Sequence, residues 1–225
     1  MKKIGMLVAV EMGAVLSRYG RAMAEETRWG FRVFTYDMGG YQLYVIGSGA
    51  GEIAAAAACQ LLIDRYEVEL VVHFGVVGGL TEEMARTKTC VVERAVHYDF
   101  DTSAYDGTLP GQYSEYPDLY LPTTAALVKR AVEIAPELKI VTCASADKFV
   151  DRREDKQALH RQFGAEICEM EATAVVLTCN RSKVPCLLIK TVSDGLAGGA
   201  EEFGVALRHT SELCLSVADR IIREL

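Results

Sequence analysis

No apolar stretch in these 225 residues approaches the roughly 20 needed to cross a bilayer, so no membrane-spanning helix is expected. The opening MKKIGMLVAVEMGAV has two lysines and a short apolar run, but no cleavage pattern, and Glu11 interrupts it. Positive charge is scarce as well: 24 Lys and Arg face 31 Asp and Glu, a formal net charge of -7. That balance disfavours a nucleic-acid surface while leaving room for a small nucleotide-like ligand. The seven cysteines, at 59, 90, 143, 168, 179, 186 and 214, form no CxxC pair. Their scatter suits buried free thiols in a reducing, cytoplasmic setting better than a disulfide framework. The four histidines are dispersed, and no His/Cys/carboxylate set has metal-ligand spacing, so neither a metal nor another cofactor is expected. GxSxG is missing, which removes a nucleophile-elbow serine hydrolase. A full GxGxxG is missing too. In GSGAGE, residues 47–52, Glu52 stands where the third glycine belongs, and no suitable acid follows.

What is present is half hydrophobic residues and a positive mean hydropathy, enough for one sizeable core. KIGMLVAV (3–10) is short and apolar, as a buried strand is, and EMGAVLSRYG has helical spacing up to Gly20. FRVFTY and YQLYVIG, joined by DMGG, signal a hairpin. GAGEIAAAAACQLLIDRY predicts a helix entered through glycines, and ELVVHFGVVGGL a buried strand ending in a glycine turn. TCVVERAVHYDF, LKIVTCASA and VPCLLIKTVSD predict further strands. TAALVKRAVEIA, DRREDKQALHRQF, EATAVVLTCN and the closing EEFGVALRHTSELCLSVADRIIREL predict helices, the second of them polar and exposed. Residues 101–120 carry turn residues and tyrosines without a clean period. Strands alternating with helices imply a single α/β domain over 1–225, with a mixed, mainly parallel central sheet flanked by helices.

In such sheets ligands sit beyond the carboxyl ends of the strands, which selects Val10–Gly13, Gly47–Gly51, Gly75–Gly79, Ser145–Val150 and Thr191–Asp194. Each feature there has a plain structural reading. The glycines around 47–51 serve tight packing as readily as anion binding. His73 suits a satisfied core histidine, and Asp194 can simply cap a turn. EICEMEATAVV (166–176) is harder to dismiss. It places Glu166, Glu169 and Glu171 against an apolar helix, and carboxylates are seldom buried without a partner or a task.

FGVVGGL, SADKFV, EMEATA and VSDG, in this order and spacing, resemble the methylthioadenosine/S-adenosylhomocysteine nucleosidases of the nucleoside phosphorylase superfamily. SGAGEIAAA is similar to that family's first glycine loop, and HYDFDTSAYDGTLPGQ to its dimer-interface loop. The resemblance implies a nucleoside phosphorylase-like domain with a partly barrel-like sheet, a homodimer, and a place in methionine salvage. It also implies hydrolysis of the bond between adenine N9 and ribose C1′. Asp194 matches the acid that protonates purine N7, so that the leaving group departs neutral. Glu171 matches the carboxylate under the ribose, Met170 the apolar floor, and Ser193 the residue orienting the acid. Phe149 matches the ring stacked on adenine, and Val150 the backbone that reads the base edge. Glu169 and Gly78 lie on the matching segments. Ala50, Thr102, Tyr105 and Pro110 fall where the family lines its 5′ pocket, the last three reaching in from the partner subunit.

The departures matter as much. The family's acidic triplet ends in the glutamate that activates water; here the triplet is EMG, and ungapped alignment puts Gly13 at that position. Glu11, two residues earlier, replaces it only if the local backbone is shifted. Val76 stands for a small hydroxyl residue, and Ala200 lies near the place of a ring that covers the 5′ group. With the small Ala50, these changes suggest an enlarged or reshaped 5′ end. A phosphate-dependent phosphorylase is the first alternative. His73 and Val76 stand where it would need an arginine and a hydroxyl, and Lys190 is basic but lies near the other end of the site. The second alternative is a nucleoside binder whose catalysis is weak because of Gly13.

Overall fold

The computed structural model describes all 225 residues. In chain order the elements are β1 (Lys2–Val8), α1 (Met12–Tyr19), β2 (Ala24–Arg28), β3 (Phe31–Asp37), β4 (Tyr41–Gly47), α2 (Glu52–Tyr66) and β5 (Leu70–Gly79). They continue with β6 (Thr89–His97), α3 (Ser103–Asp106), β7 (Leu121–Pro122), α4 (Ala125–Ile134), β8 (Lys139–Ser145) and α5 (Arg153–Phe163). The last four are β9 (Ile167–Glu169), α6 (Ala172–Ser182), β10 (Cys186–Asp194) and α7 (Ala200–Arg223). No helix is long and apolar enough to cross a membrane.

All ten strands join one mixed sheet, ordered β10-β6-β8-β9-β5-β1-β4-β3-β2, with β7 on β6. Because β10 also pairs with β5, five strands close into a ring: β5, β9, β8, β6 and β10. The long ladders are parallel, from Val71–Cys186 onward between β5 and β10, and from Lys2–Tyr41 onward between β1 and β4. Every residue of β5 and β10 is buried, which explains their unbroken apolar runs. One face of the sheet packs under α2 and α6, with Ala55, Ala58, Val175 and Cys179 among the contacts; α1, α4 and α7 cover the other. All seven cysteines are free and buried; Cys59 Sγ meets Cys179 Sγ at 3.6 Å between α2 and α6.

The DMGG turn joins β3 and β4 as an antiparallel pair, from Val33–Ile46 to Asp37–Gln42. Three strands are not signalled by periodicity: β2, β9 and the two-residue β7. β2 is a mostly exposed edge strand whose charges blunt edge-to-edge pairing. β9 is only three residues long, too short to alternate. The polar helix expected near 151–163 is present as α5, but it is not wholly exposed: Lys156 is fully buried. Three acceptors around its ammonium explain this. The tyrosine-rich segment after β6 is ordered by a Phe100–Tyr113 stack at 4.2 Å and a His97 Nδ1–Tyr113 hydroxyl bond of 2.7 Å.

Two helix starts meet at one carboxylate. Glu52, the first residue of α2, accepts hydrogen bonds from Ser145 Oγ, Thr173 Oγ1 and the Ala174 N–H in the first turn of α6. Burial pushes its carboxyl up to about 7, and Glu169 adds to this, against those three donors. The folded chain therefore holds a proton that the unfolded chain releases above about 4.5. Stability is lost as pH climbs from there to about 7, by roughly 3 kcal/mol in all. His73 has the opposite slope below its ordinary 6.5, so variant and wild type must be compared at each pH. Glu52→Gln, an isostere of the protonated acid, should match the wild-type melting temperature near pH 5 and exceed it near pH 8. Parallel calorimetric curves across that interval would contradict this.

Candidate active site

The carboxyl ends of β1, β5, β8, β9 and β10 and the first turn of α7 border a cavity of about 140 Å³, lined mostly by apolar residues with a few convergent acids. Its wall contains Glu11, Ala50, Val76, Gly78, Phe149 and Val150. Cys168, Glu169, Met170, Glu171, Ser193 and Asp194 continue it, with Phe203 at the start of α7.

Glu11 reaches the cavity because β1 ends at Val8 and the chain turns before α1 begins at Met12. In that turn its carboxylate folds back onto the N–H groups of Ala9 (3.2 Å) and Val10 (2.9 Å) and spans to Val76 N–H at 2.8 Å. A side chain on Gly75 would collide with it: a Cβ there would lie 2.9 Å from Glu11 Oε1 and 3.6 Å from Lys190 Nζ. Gly13 is turned away. It is exposed on α1, beside a separate hollow against α7, with nothing within 4 Å of where a Cβ would be. Of these two positions, Glu11 is the one that borders the cavity, and Gly13 does not.

Glu171 begins α6, and its carboxylate accepts the Gly51 N–H at 2.8 Å. Gly51 supplies this donor from a φ of 106°, a conformation that favours glycine. Burial and the neighbouring Glu169 push the Glu171 carboxyl up to about 8, against Lys190 and the Gly51 N–H. Glu169 is a different kind of acid. It borders the cavity, but its oxygens accept the N–H groups of Glu171 (3.1 Å) and Ala172 (3.0 Å) and the Lys190 ammonium (3.0 Å). Burial pushes its carboxyl up; the Lys190 ammonium outweighs this and holds it well below the usual range. His73 Nδ1 lies 3.0 Å from Leu7 O, which can only accept, so the proton sits on Nδ1. Its Nε2 then accepts from Lys190 Nζ at 2.6 Å, and burial with that cation keeps the ring neutral. Folding brings His73, Glu169 and Glu171 within 4.8 Å of one another, a clustering that linear spacing does not reveal. The Lys190 ammonium supplies a positive charge there.

Asp194 enters the cavity through a β-bulge. The β10–β5 register shifts between Val192 and Asp194, so Asp194 lies opposite Gly78. A Cβ on Gly78 would stand 3.2 Å from Asp194 Oδ2 and 3.1 Å from Cys168 Sγ, so the missing side chain gives the acid its room. Asp194 Oδ1 lies 2.8 Å from Ser193 Oγ, and Oδ2 accepts from Lys156 Nζ at 2.6 Å. Burial raises the carboxyl against the opposing effects of Lys156 and Ser193.

Of the residues singled out in the sequence, Tyr105 and Pro110 do not line this chain's cavity; Tyr105 is 92% exposed on the short helix α3. Thr102 also stays outside it. Glu166 is half-buried and accepts the Thr142 N–H at 2.8 Å, a purely structural contact. Ala200 does not line the cavity, but Phe203, three residues later, does, edge-on to Phe149 at 5.4 Å. The lone Phe in EEFGVAL was the available signal. Lys190 and Lys156 carried none, since a lysine in a strand or a polar helix does not announce its partner.

A family model described as Phosphorylase superfamily matches residues 4–223. A 5′-methylthioadenosine/S-adenosylhomocysteine nucleosidase of Tolumonas auensis is 28% identical over 232 residues, covering 97% of this chain and 100% of its own. An aminodeoxyfutalosine nucleosidase of Helicobacter pylori is 30% identical over 224 residues, covering 94% and 95%. A solved structure of the Helicobacter pylori 5′-methylthioadenosine/S-adenosylhomocysteine nucleosidase, bound to a pyrrolopyrimidine–pyrrolidinol compound, matches with a TM-score of 0.94. It is 27% identical, covering 100% of this chain and 99% of that one. Fold and site together define a phosphorylase-superfamily protein. Within that superfamily the chain belongs to the 5′-methylthioadenosine/S-adenosylhomocysteine nucleosidase family.

The Lys190–Glu169 pair is buried, so removing one partner strands a charge. Lys190→Met should cost about 3–5 kcal/mol in urea unfolding. Adding Glu169→Gln should recover much of that loss. Equal midpoints for wild type and Lys190→Met would refute the role of the pair.

Proposed function

We propose that this chain is an adenine nucleosidase, hydrolysing the N-glycosidic bond of 5′-thioether adenine nucleosides. The observation that carries the reading is the convergence of three acids on one cavity: Asp194, bulged in beside Gly78, with Glu11 and Glu171. Phe149, 42% exposed at the cavity, is free to stack on a purine. Asp194, its carboxyl raised by burial, gives its proton to purine N7. The C1′–N9 bond breaks, its electron pair leaves with the purine, and neutral adenine departs. Positive charge then develops at the sugar beside Glu171, whose ionised form stabilises it. Water adds to C1′ while Glu11 takes its proton, which leaves a free ribose.

The names of the relatives, methylthioadenosine/S-adenosylhomocysteine and aminodeoxyfutalosine nucleosidases, support an adenine nucleoside with a variable 5′ group. Phe203 supports an apolar 5′ neighbourhood. The phosphorylase reading loses ground because the buried cation, Lys190, is engaged with His73 and Glu169. The reading as a nucleoside binder with weak catalysis loses ground because Glu11 brings to the cavity a carboxylate that Gly13 cannot supply. A homodimer is part of the proposal: Tyr105 and Leu109 are exposed on an ordered segment, as side chains that complete a partner's site would be. A reducing, cytoplasmic setting fits the seven buried free thiols.

The test is adenine release from methylthioadenosine, S-adenosylhomocysteine, aminodeoxyfutalosine, 5′-deoxyadenosine, adenosine and inosine, each with and without phosphate. Release should not require phosphate, and no ribose 1-phosphate should form; a phosphate requirement would overturn the hydrolase. Glu11→Gln should lower kcat by about 10²–10⁴-fold, whereas Gly13→Glu should bring no gain. A large gain from Gly13→Glu would restore position 13 as the base. Light scattering should give a dimer, and an active monomer would remove the shared 5′ pocket.

A further inference from the structure

Lys156 is a buried lysine on a helix whose other residues, Phe163 apart, are at least partly exposed. Its ammonium has three donors and meets three acceptors: Asp194 Oδ2 at 2.6 Å, Gly195 O at 2.8 Å and Gly198 O at 2.9 Å. All three partners can only accept, so the group is a charged ammonium with each N–H in use. Desolvating such a charge is costly unless every donor is met.

The placement of the charge is specific. Lys156 occupies Oδ2 of the acid and leaves Oδ1 for the transferable proton. Oδ1 accepts from Ser193 Oγ at 2.8 Å, and that hydroxyl also lies 3.2 Å from Val77 O, which holds it in place. The other groups facing Asp194 are Glu202 from α7, which raises its carboxyl, and the Cys168 thiol from β9. Glu202 accepts the Gly195 N–H at 2.9 Å and lies 3.6 Å from Arg86. Lys156 is therefore the cation in direct contact with the acid. It also ties Asp194 to the helix that follows the Phe149–Val150 loop.

We propose that Lys156 is the positioning residue for proton transfer: it aims Asp194 Oδ1 at the purine and neutralises the carboxylate that remains once the proton has gone. Before transfer, the buried acid is neutral beside an ammonium. After transfer, it is an anion 2.6 Å from that ammonium, and the loss of solvation is offset at the moment the C1′–N9 bond breaks. Without the cation, Asp194 would hold its proton too tightly to be an effective acid.

This inference rests on the nucleosidase reading, and the experiment separates the two. The pH profiles of kcat and kcat/KM are measured for wild type, Lys156→Met and Lys156→Arg, with methylthioadenosine as substrate. In Lys156→Met, kcat should fall at least about tenfold. The alkaline limb, where Asp194 loses its proton, should move up by about 1–3 pH units, because a cation that favoured the carboxylate is gone. The acid limb, set by the cluster around Glu171, which Lys156 does not touch, should stay in place. Lys156→Arg should restore the alkaline limb. If Lys156→Met does not fold, Lys156→Gln, neutral but still a donor, takes its place with the same expectations. An alkaline limb that does not move in the neutral variant, or a change confined to KM, would reduce Lys156 to a structural role. If wild type releases no adenine from any nucleoside tested, the nucleosidase reading itself fails.

Discussion

The Lys190 ammonium, held between Glu169 and His73 inside the strand ring, is the contact on which the site's geometry depends. It belongs to β10, His73 to β5 and Glu169 to β9, and His73 passes the link on to Leu7 O of β1. Glu169 in turn receives the first N–H groups at the start of α6 and so orients Glu171. One buried charge pair thus fixes four strands and a helix start around the same few ångströms. Its desolvation is tolerable because every member has a partner.

Within that frame, acids of the same chemistry are held in different states. Glu169, against a lysine, stays ionised. Glu171, next to Glu169 and buried, is pushed up to about 8, and Glu52, between two helix starts, to about 7. Asp194 is raised by burial while a lysine opposes the rise. Environments that pull like groups apart are what acid–base chemistry at one pH requires. The cavity achieves this with two lysines, neither of which faces bulk water.

Much of this was legible in the sequence. The apolar runs of β5 and β10, the hairpin at DMGG, and the motifs around Asp194 and Glu171 follow local rules, and the fold keeps them. What was illegible depends on backbone path or on distant partners. Glu11 reaches the cavity through a turn whose course no alignment of letters encodes. Lys156 sits in a helix rich in charges, and no pattern says which of them turns inward. Phe203 stands three positions from where its ring was looked for, nearly one helical turn. β9, at three residues, is too short to show a period and exists because β5 and β8 offer it hydrogen bonds on both sides.

The closure of five strands into a ring has a further consequence. β10 is hydrogen-bonded along both edges, to β5 in parallel and to β6 in antiparallel register. In an open sheet, a strand can slip by one residue at the cost of its own ladder, and every side chain then changes face. Here a slip of β10 would have to be matched by β5 and β6, and through them by β8 and β9. The alignment of Lys190 with Gly75, and of Asp194 with Gly78, is therefore a collective property of the whole circuit. The ring works as a combination lock: the acid and the central cation hold their places because no single strand is free to turn its own wheel.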